Sequence, residues 1–137
     1  MISDLREAVR VELQADVGIE FAAGAPPDEG PVARRDRGYV WVEGFARDPT
    51  LAIWEEIDVR ARLYLQYVEP RSDEEPVPPG PLENAAESLR DALQNKRSLL
   101  DLAGGRWLLA FVGVELDYAS QSAEASVTAG RENPYET

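Results

Sequence analysis

Ile57-Asp58-Val59-Arg60-Ala61-Arg62-Leu63-Tyr64-Leu65-Gln66-Tyr67-Val68 is the stretch that decides the fold. Ile57, Val59, Ala61, Leu63, Leu65 and Tyr67 occupy odd positions, whereas Asp58, Arg60, Arg62, Tyr64 and Gln66 occupy even ones. Side chains alternate across a strand, so one side can bury and the other stays mostly polar. That pattern belongs to an antiparallel sheet with one covered and one wet face.

Upstream, Leu5, Ala8, Val9 and Leu13 make a helical stripe, with Arg6, Arg10 and Gln14 expected to face away. Ser3 is placed to cap this helix and Gly18 to stop it. Ile19 to Ala23 is a short strand candidate, followed by an irregular Gly24–Pro31 segment. Arg34-Arg35-Asp36-Arg37-Gly38 reads as a loop tip before the strand Tyr39 to Ala46.

Downstream, residues 69–81 carry five prolines and form an extended, exposed loop. Pro81 is placed at the first position of a second helix, whose buried stripe is Leu82, Ala85, Ala86, Leu89, Ala92 and Leu93. Lys96 and Arg97 suit the negative end of that helix. A strand from Arg106 to Tyr118 follows, with Val112, Val114, Leu116 and Tyr118 inward and Glu115 and Asp117 outward. Residues 119–122 turn the chain into a last strand with Ala123, Ala125, Val127 and Ala129 on one face; Pro134 ends it, and 130–137 is a flexible tail. The expectation is one α+β domain over 1–137, a mainly antiparallel sheet with two helices packed on one face.

The 137 residues include no Cys and no His, with 14 Lys+Arg against 26 Asp+Glu, a formal charge of −12. Thiol nucleophiles, iron–sulfur clusters, zinc fingers and Ser–His triads are thereby excluded from the chain. The negative charge argues against gripping a phosphate backbone, which takes clustered Lys and Arg. Trp107 to Val114 is the longest apolar run, at eight residues, against the roughly 20 a membrane helix needs. The N-terminal stretch has neither the basic n-region nor the apolar h-region of a signal peptide.

The acidic groups Glu55-Glu56-Asp58, Asp73-Glu74-Glu75 and Glu115/Asp117 lack calcium-loop spacing and read as solvated charges. No serine lies in G-x-S-x-G, and Gly104-Gly105 lacks the rest of a phosphate-binding turn. No metal, cofactor or catalytic residue is therefore expected, and the chain reads as a non-enzyme. Arg34, Arg35 and Arg37 form the one basic cluster, suited to an acidic protein surface. Tyr39, Trp41 and Phe45 are expected on one strand face, with Val40 and Val42 on the other. Two helices cover only one face, so the second must meet a further sheet or another subunit.

The order of elements resembles the tail terminator proteins of long-tailed bacteriophages. The similarity is carried by the opening helix Met1 to Val9, the strand Glu56 to Leu65, the helix Asn84 to Leu93 and the final strand pair. The proline-rich 69–81 insertion and the Gly24–Pro31 loop are longer than a minimal version of that fold needs. The resemblance implies a structural virion protein at the head-proximal end of the tail. Copies form a ring, implied to be a hexamer, that caps the tail tube and joins it to a neck or head-completion protein. DNA passes through such a ring without specific binding, and no membrane is involved. Subunit and partner contacts are then expected at Arg34, Arg35, Arg37, Tyr39, Trp41 and Phe45, with Pro76, Pro78 and Pro79 of the loop. The competing assignments are another head–tail connector or neck subunit, and an acidic monomeric adaptor that binds a basic protein.

Overall fold

The computed structural model describes residues 2–27, 34–47, 54–69, 75–94, 101–102, 105–106 and 108–132. Chain order is α1 (Ile2–Val17), β1 (Phe21–Ala23), β2 (Arg37–Arg47), β3 (Trp54–Tyr64), α2 (Pro79–Gln94), β4 (Asp101–Leu102), β5 (Gly105–Arg106), β6 (Leu108–Asp117) and β7 (Ser122–Glu132). Five strands make one sheet in the order β1-β2-β3-β7-β6, and β4 pairs with β5 alone. Every pair in the large sheet is antiparallel except β1–β2, which is parallel. This is the α+β architecture that the alternation in β3 and the two apolar helical stripes require.

The core lies between the helices and one sheet face. Leu5, Val9 and Leu13 of α1 and Leu82, Ala85, Leu89, Ala92 and Leu93 of α2 are buried. They meet Val40, Ile57, Val59, Ala61, Leu63, Ala123, Ala125, Val127 and Ala129 in one apolar cluster. α1 packs on β1 and β2, while α2 packs on β6 and β7. The alanines of β7 leave room for this close approach.

Local chemistry explains several departures from the sequence reading. α1 starts at Ile2, so Ser3 lies inside its first turn instead of capping it. At the other end Gly18 has φ +76° and donates to the Gln14 carbonyl at 3.1 Å, the left-handed stop expected of glycine. Arg10 and Gln14 do not simply face away. Arg10 Nη1 donates to the Phe21 carbonyl at 3.2 Å, and the Phe21 N–H donates to Gln14 Oε1 at 3.3 Å. These side chains hold both backbone groups of a three-residue strand too short to stand alone. Gly38 completes the arrangement, because a Cβ there would overlap the buried Phe21 ring.

α2 begins at Pro79, two residues before Pro81. Both prolines lie in the first turn, where backbone N–H groups have no partner in the helix anyway. β3 ends at Tyr64, short of Val68. Residues 65–69 instead run beside the turn before β7, held by Gln121. That residue has φ +53°, and its side chain accepts from Val68 N–H at 3.1 Å and donates to the Val68 carbonyl at 2.8 Å. β7 continues to Glu132, so residues 130–132 are strand, not tail. Lys96, Arg97, Pro134 and residues 133–137 lie outside the described residues.

Candidate functional site

The strand period that sends Ile57, Val59, Ala61 and Leu63 under the helices sends Asp58, Arg60, Arg62 and Tyr64 to the opposite face. Register brings Ser122, Glu124, Ser126 and Thr128 of β7 alongside them. Glu115 and Asp117 of β6 flank that row, and Tyr39 lies beside Arg62 on β2. No second layer covers this face among the described residues, so it is the candidate interaction surface.

Its centre is a charge lattice. Arg60 forks onto Asp58, with Nε–Oδ1 at 3.3 Å and Nη2–Oδ2 at 3.1 Å, and reaches Glu124 Oε2 at 3.3 Å. Arg62 donates to Asp117 Oδ2 at 3.0 Å, Ser122 Oγ at 2.9 Å and Ser120 Oγ at 3.2 Å. Its other amino group lies 3.8 Å from Glu124 Oε1, so Glu124 bridges the two arginines. The hydrogen bond to Asp58 pushes the Arg60 guanidinium further above its usual range, against burial. At Asp117 burial acts to raise the pKa, but donation from Ser120 and Ala119 together with the Arg62 charge holds it below the ordinary carboxylate value.

Aromatic rings extend the lattice toward β2. The Arg62 guanidinium sits 5.1 Å from the Tyr64 ring centre, and Arg37 sits 5.5 Å from that of Tyr39. Tyr39 and Tyr64 meet edge to face with centroids 5.9 Å apart and planes at 88°. Tyr64 is almost fully buried although it lies on the open face, and burial raises its phenol pKa. Trp41 Nε1 donates to Glu43 Oε2 at 2.6 Å.

Two bulges shape the upper half of this face. Val42, Val59, Val127 and Phe111 align in one row across β2, β3, β7 and β6. Immediately beyond that row the register shifts in β2, between Val42 and Gly44, and in β6, between Phe111 and Gly113. An extra residue bends and twists a strand locally. Bulges at the same height on both sides of a central pair border a concavity of about 470 Å³, whose lining includes Glu43, Asp58, Arg60, Val112 and Thr128.

The bulges also correct two expectations. Tyr39, Trp41 and Phe45 do not share a face, because the extra residue at Glu43 brings Phe45 into register with buried Ile57. Phe45 lies beyond the reach of the helices and is 74% exposed. Val112 is not inward; it is the extra residue of β6 and is 66% exposed. Val114 does pack on the core, whereas Leu116 and Tyr118 are substantially exposed.

Arg34 and Arg35 are exposed, with Arg35 3.5 Å from Glu20. Arg37 is not at the loop tip: it opens β2 and is half-buried. Pro76 and Pro78 are exposed in irregular chain, and Pro79 is exposed as the first residue of α2. The structure therefore gathers Arg37, Tyr39 and Trp41 on the open face, places Arg34 and Arg35 at its corner and Phe45 at the border of the concavity, and leaves the prolines elsewhere.

What the sequence reading missed is the lattice itself. Asp58 and Asp117 are paired with arginines instead of being simply solvated. The available signal was the even face of β3, where two arginines follow an aspartate at strand spacing opposite acidic residues of β6 and β7. Among the described residues no group of three or more acidic side chains is placed to hold a metal ion. No described helix is long and apolar enough to cross a membrane.

No family model matches the chain, and no curated protein does. A solved structure does: the sheath/tube terminator of an extracellular contractile injection system, PVC, in its extended state. Superposition gives a TM-score of 0.52 with 16% identity, over 96% of this chain and 56% of that one. This chain shares its fold with that protein. The shared architecture spans nearly all of the chain but little more than half of the PVC terminator, and at this identity the likeness is one of fold.

Proposed function

We propose that the chain is a structural subunit of a ring that closes the head-proximal end of a phage-type tail tube and joins the tail to a neck or head-completion protein. The observation that carries this reading is the fold shared with a sheath/tube terminator across 96% of the chain. The open sheet face supports it. A sheet with helices on one side only, carrying an ordered charge lattice and half-buried aromatics on the other, has surface to give to neighbours. The ring is read as a hexamer and the protein as a virion component without enzymatic activity.

Net charge fits passage of a genome. A subunit of −12 repels phosphate, so a lumen lined by it lets DNA slide without being held. The exception is the Arg34, Arg35 and Arg37 corner, which is assigned to an acidic protein neighbour.

The test is to add purified chain to tail tubes polymerised from the cognate tube protein and to image them by negative-stain electron microscopy. The expected result is a cap at one end of each tube and an arrest of further growth there. Uncapped tubes, with the chain staying monomeric and binding a basic protein instead, would show an acidic adaptor.

A further inference from the structure

The open face has a direction across its strands. Arg37, Tyr64, Ser122 and Asp117 form one register row across β2, β3, β7 and β6. The next row runs Tyr39, Arg62, Glu124, Glu115. Both rows end in a carboxylate on β6; on β2 the first begins at Arg37 and the second at Tyr39, and exposed Arg34 and Arg35 lie just before β2. With strands about 4.8 Å apart, the two ends of a row lie roughly 14 Å from each other.

The groups at the two ends have charge to spare. Glu115 is exposed and has no ion-pair partner among the described residues. Arg34 is exposed and likewise has none among them. Arg35 and Glu20 are each more than 60% exposed, which makes their contact weak and easily exchanged. Leu116 and Tyr118, 37% and 44% exposed, add apolar surface at the acidic end.

The strand edges point the same way. β6 has no strand on its far side among the described residues, and Leu108-Leu109-Ala110-Phe111-Val112 carries no charge or proline to blunt it. At the opposite edge β1 covers only Gly38–Val40 of β2, leaving Trp41–Arg47 without a strand neighbour on that side among the described residues. The backbone groups of Phe21 on the outer side of β1 are already taken by Arg10 and Gln14.

We propose that the acidic β6 edge of one copy, at Glu115, docks against the Arg34–Arg35 corner beside β1 of a second copy, head to tail. The proposal rests on the ring reading and names the surfaces that close the ring. The two surfaces lie on opposite sides of the sheet, so a contact between them is heterologous and closes into a ring where successive copies are related by a pure rotation. An isologous contact would set arginines against arginines, or carboxylates against carboxylates.

Because the chain contains no Cys, introduced thiols report the contact directly. The Arg34→Cys/Glu115→Cys double variant is oxidised mildly, alone and on tail tubes, and run on a non-reducing gel. The expected result is a ladder of disulfide-linked multimers ending at a closed ring, with each single-Cys variant monomeric. Charge exchange supplies the second arm: Arg34→Glu/Arg35→Glu and Glu115→Arg each weaken self-association about tenfold, and mixing the two variants restores it. Capped tubes without a ladder would overturn the named surfaces while leaving the terminator reading intact. A ladder without capped tubes would uphold the contact and reject that reading. Dimers from Arg34→Cys alone would overturn the head-to-tail arrangement.

Discussion

The two faces of the sheet are built on different physics from the same strands. Beneath the helices, Val40, Ile57, Val59, Ala61, Leu63, Ala125 and Val127 are nearly or fully inaccessible and contribute stability through removal of apolar surface from water. On the other side, Arg60, Arg62, Glu124, Asp58 and Asp117 hold one another in a half-exposed lattice. Such pairs add modestly to stability but fix where each charge stands. One face folds the chain; the other is arranged to be met.

The contrast between the faces is disturbed most severely from the covered side. Leu63→Ala and Leu89→Ala each remove a fully buried side chain and are expected to cost about 2–5 kcal/mol, measured by urea denaturation. Gly38→Ala comes next, at roughly 1–3 kcal/mol, because the added Cβ must displace the Phe21 ring. If it left stability unchanged, the seating of β1 on α1 would be misassigned.

The open face should respond more weakly and cooperatively. Arg62→Ala and Glu124→Gln are each expected to cost about 1 kcal/mol, and less than the sum when combined, since both act on one lattice. Strict additivity in a double-mutant cycle would mean that the arginine and carboxylate are not coupled. Asp117 supplies a pH signature. Its folded pKa lies below the ordinary 3.8, so its contribution is fully present above the usual Asp range and is lost as pH falls through the folded value. Asp117→Asn should flatten the acid limb of the stability curve, and an unchanged limb would contradict the assignment. Smallest of all is Phe45→Ser, within about 0.5 kcal/mol because the ring is already in water.

The covered face was legible in the sequence because burial obeys the strand and helix periods. β3 announced itself by parity, and the stripes of α1 and α2 named most of the buried residues. The last strand was equally plain, with Ala123, Ala125, Val127 and Ala129 all buried. Single-residue insertions were not legible. Glu43 and Val112 carry no mark themselves, and the only hint was the mid-strand glycine after each, Gly44 and Gly113; the inserted residues shift parity, and Phe45 and Val112 consequently lie away from their expected faces. β1 was legible as a short strand within Ile19 to Ala23, but its parallel pairing with β2 was not, because its seating depends on Arg10, Gln14 and Gly38, residues distant in sequence. The open-face lattice was half visible, as alternating charge on β3, but its partners lie more than fifty residues away in β6 and β7.

Hydrogen–deuterium exchange on the free chain and on the same chain assembled at tube ends tests the division of labour most directly. New protection is expected along β6, Leu108–Asp117, and at the Arg34–Arg37 corner, with α1 and α2 unchanged. Protection gained on the helices while the β6 edge exchanges as before would contradict it.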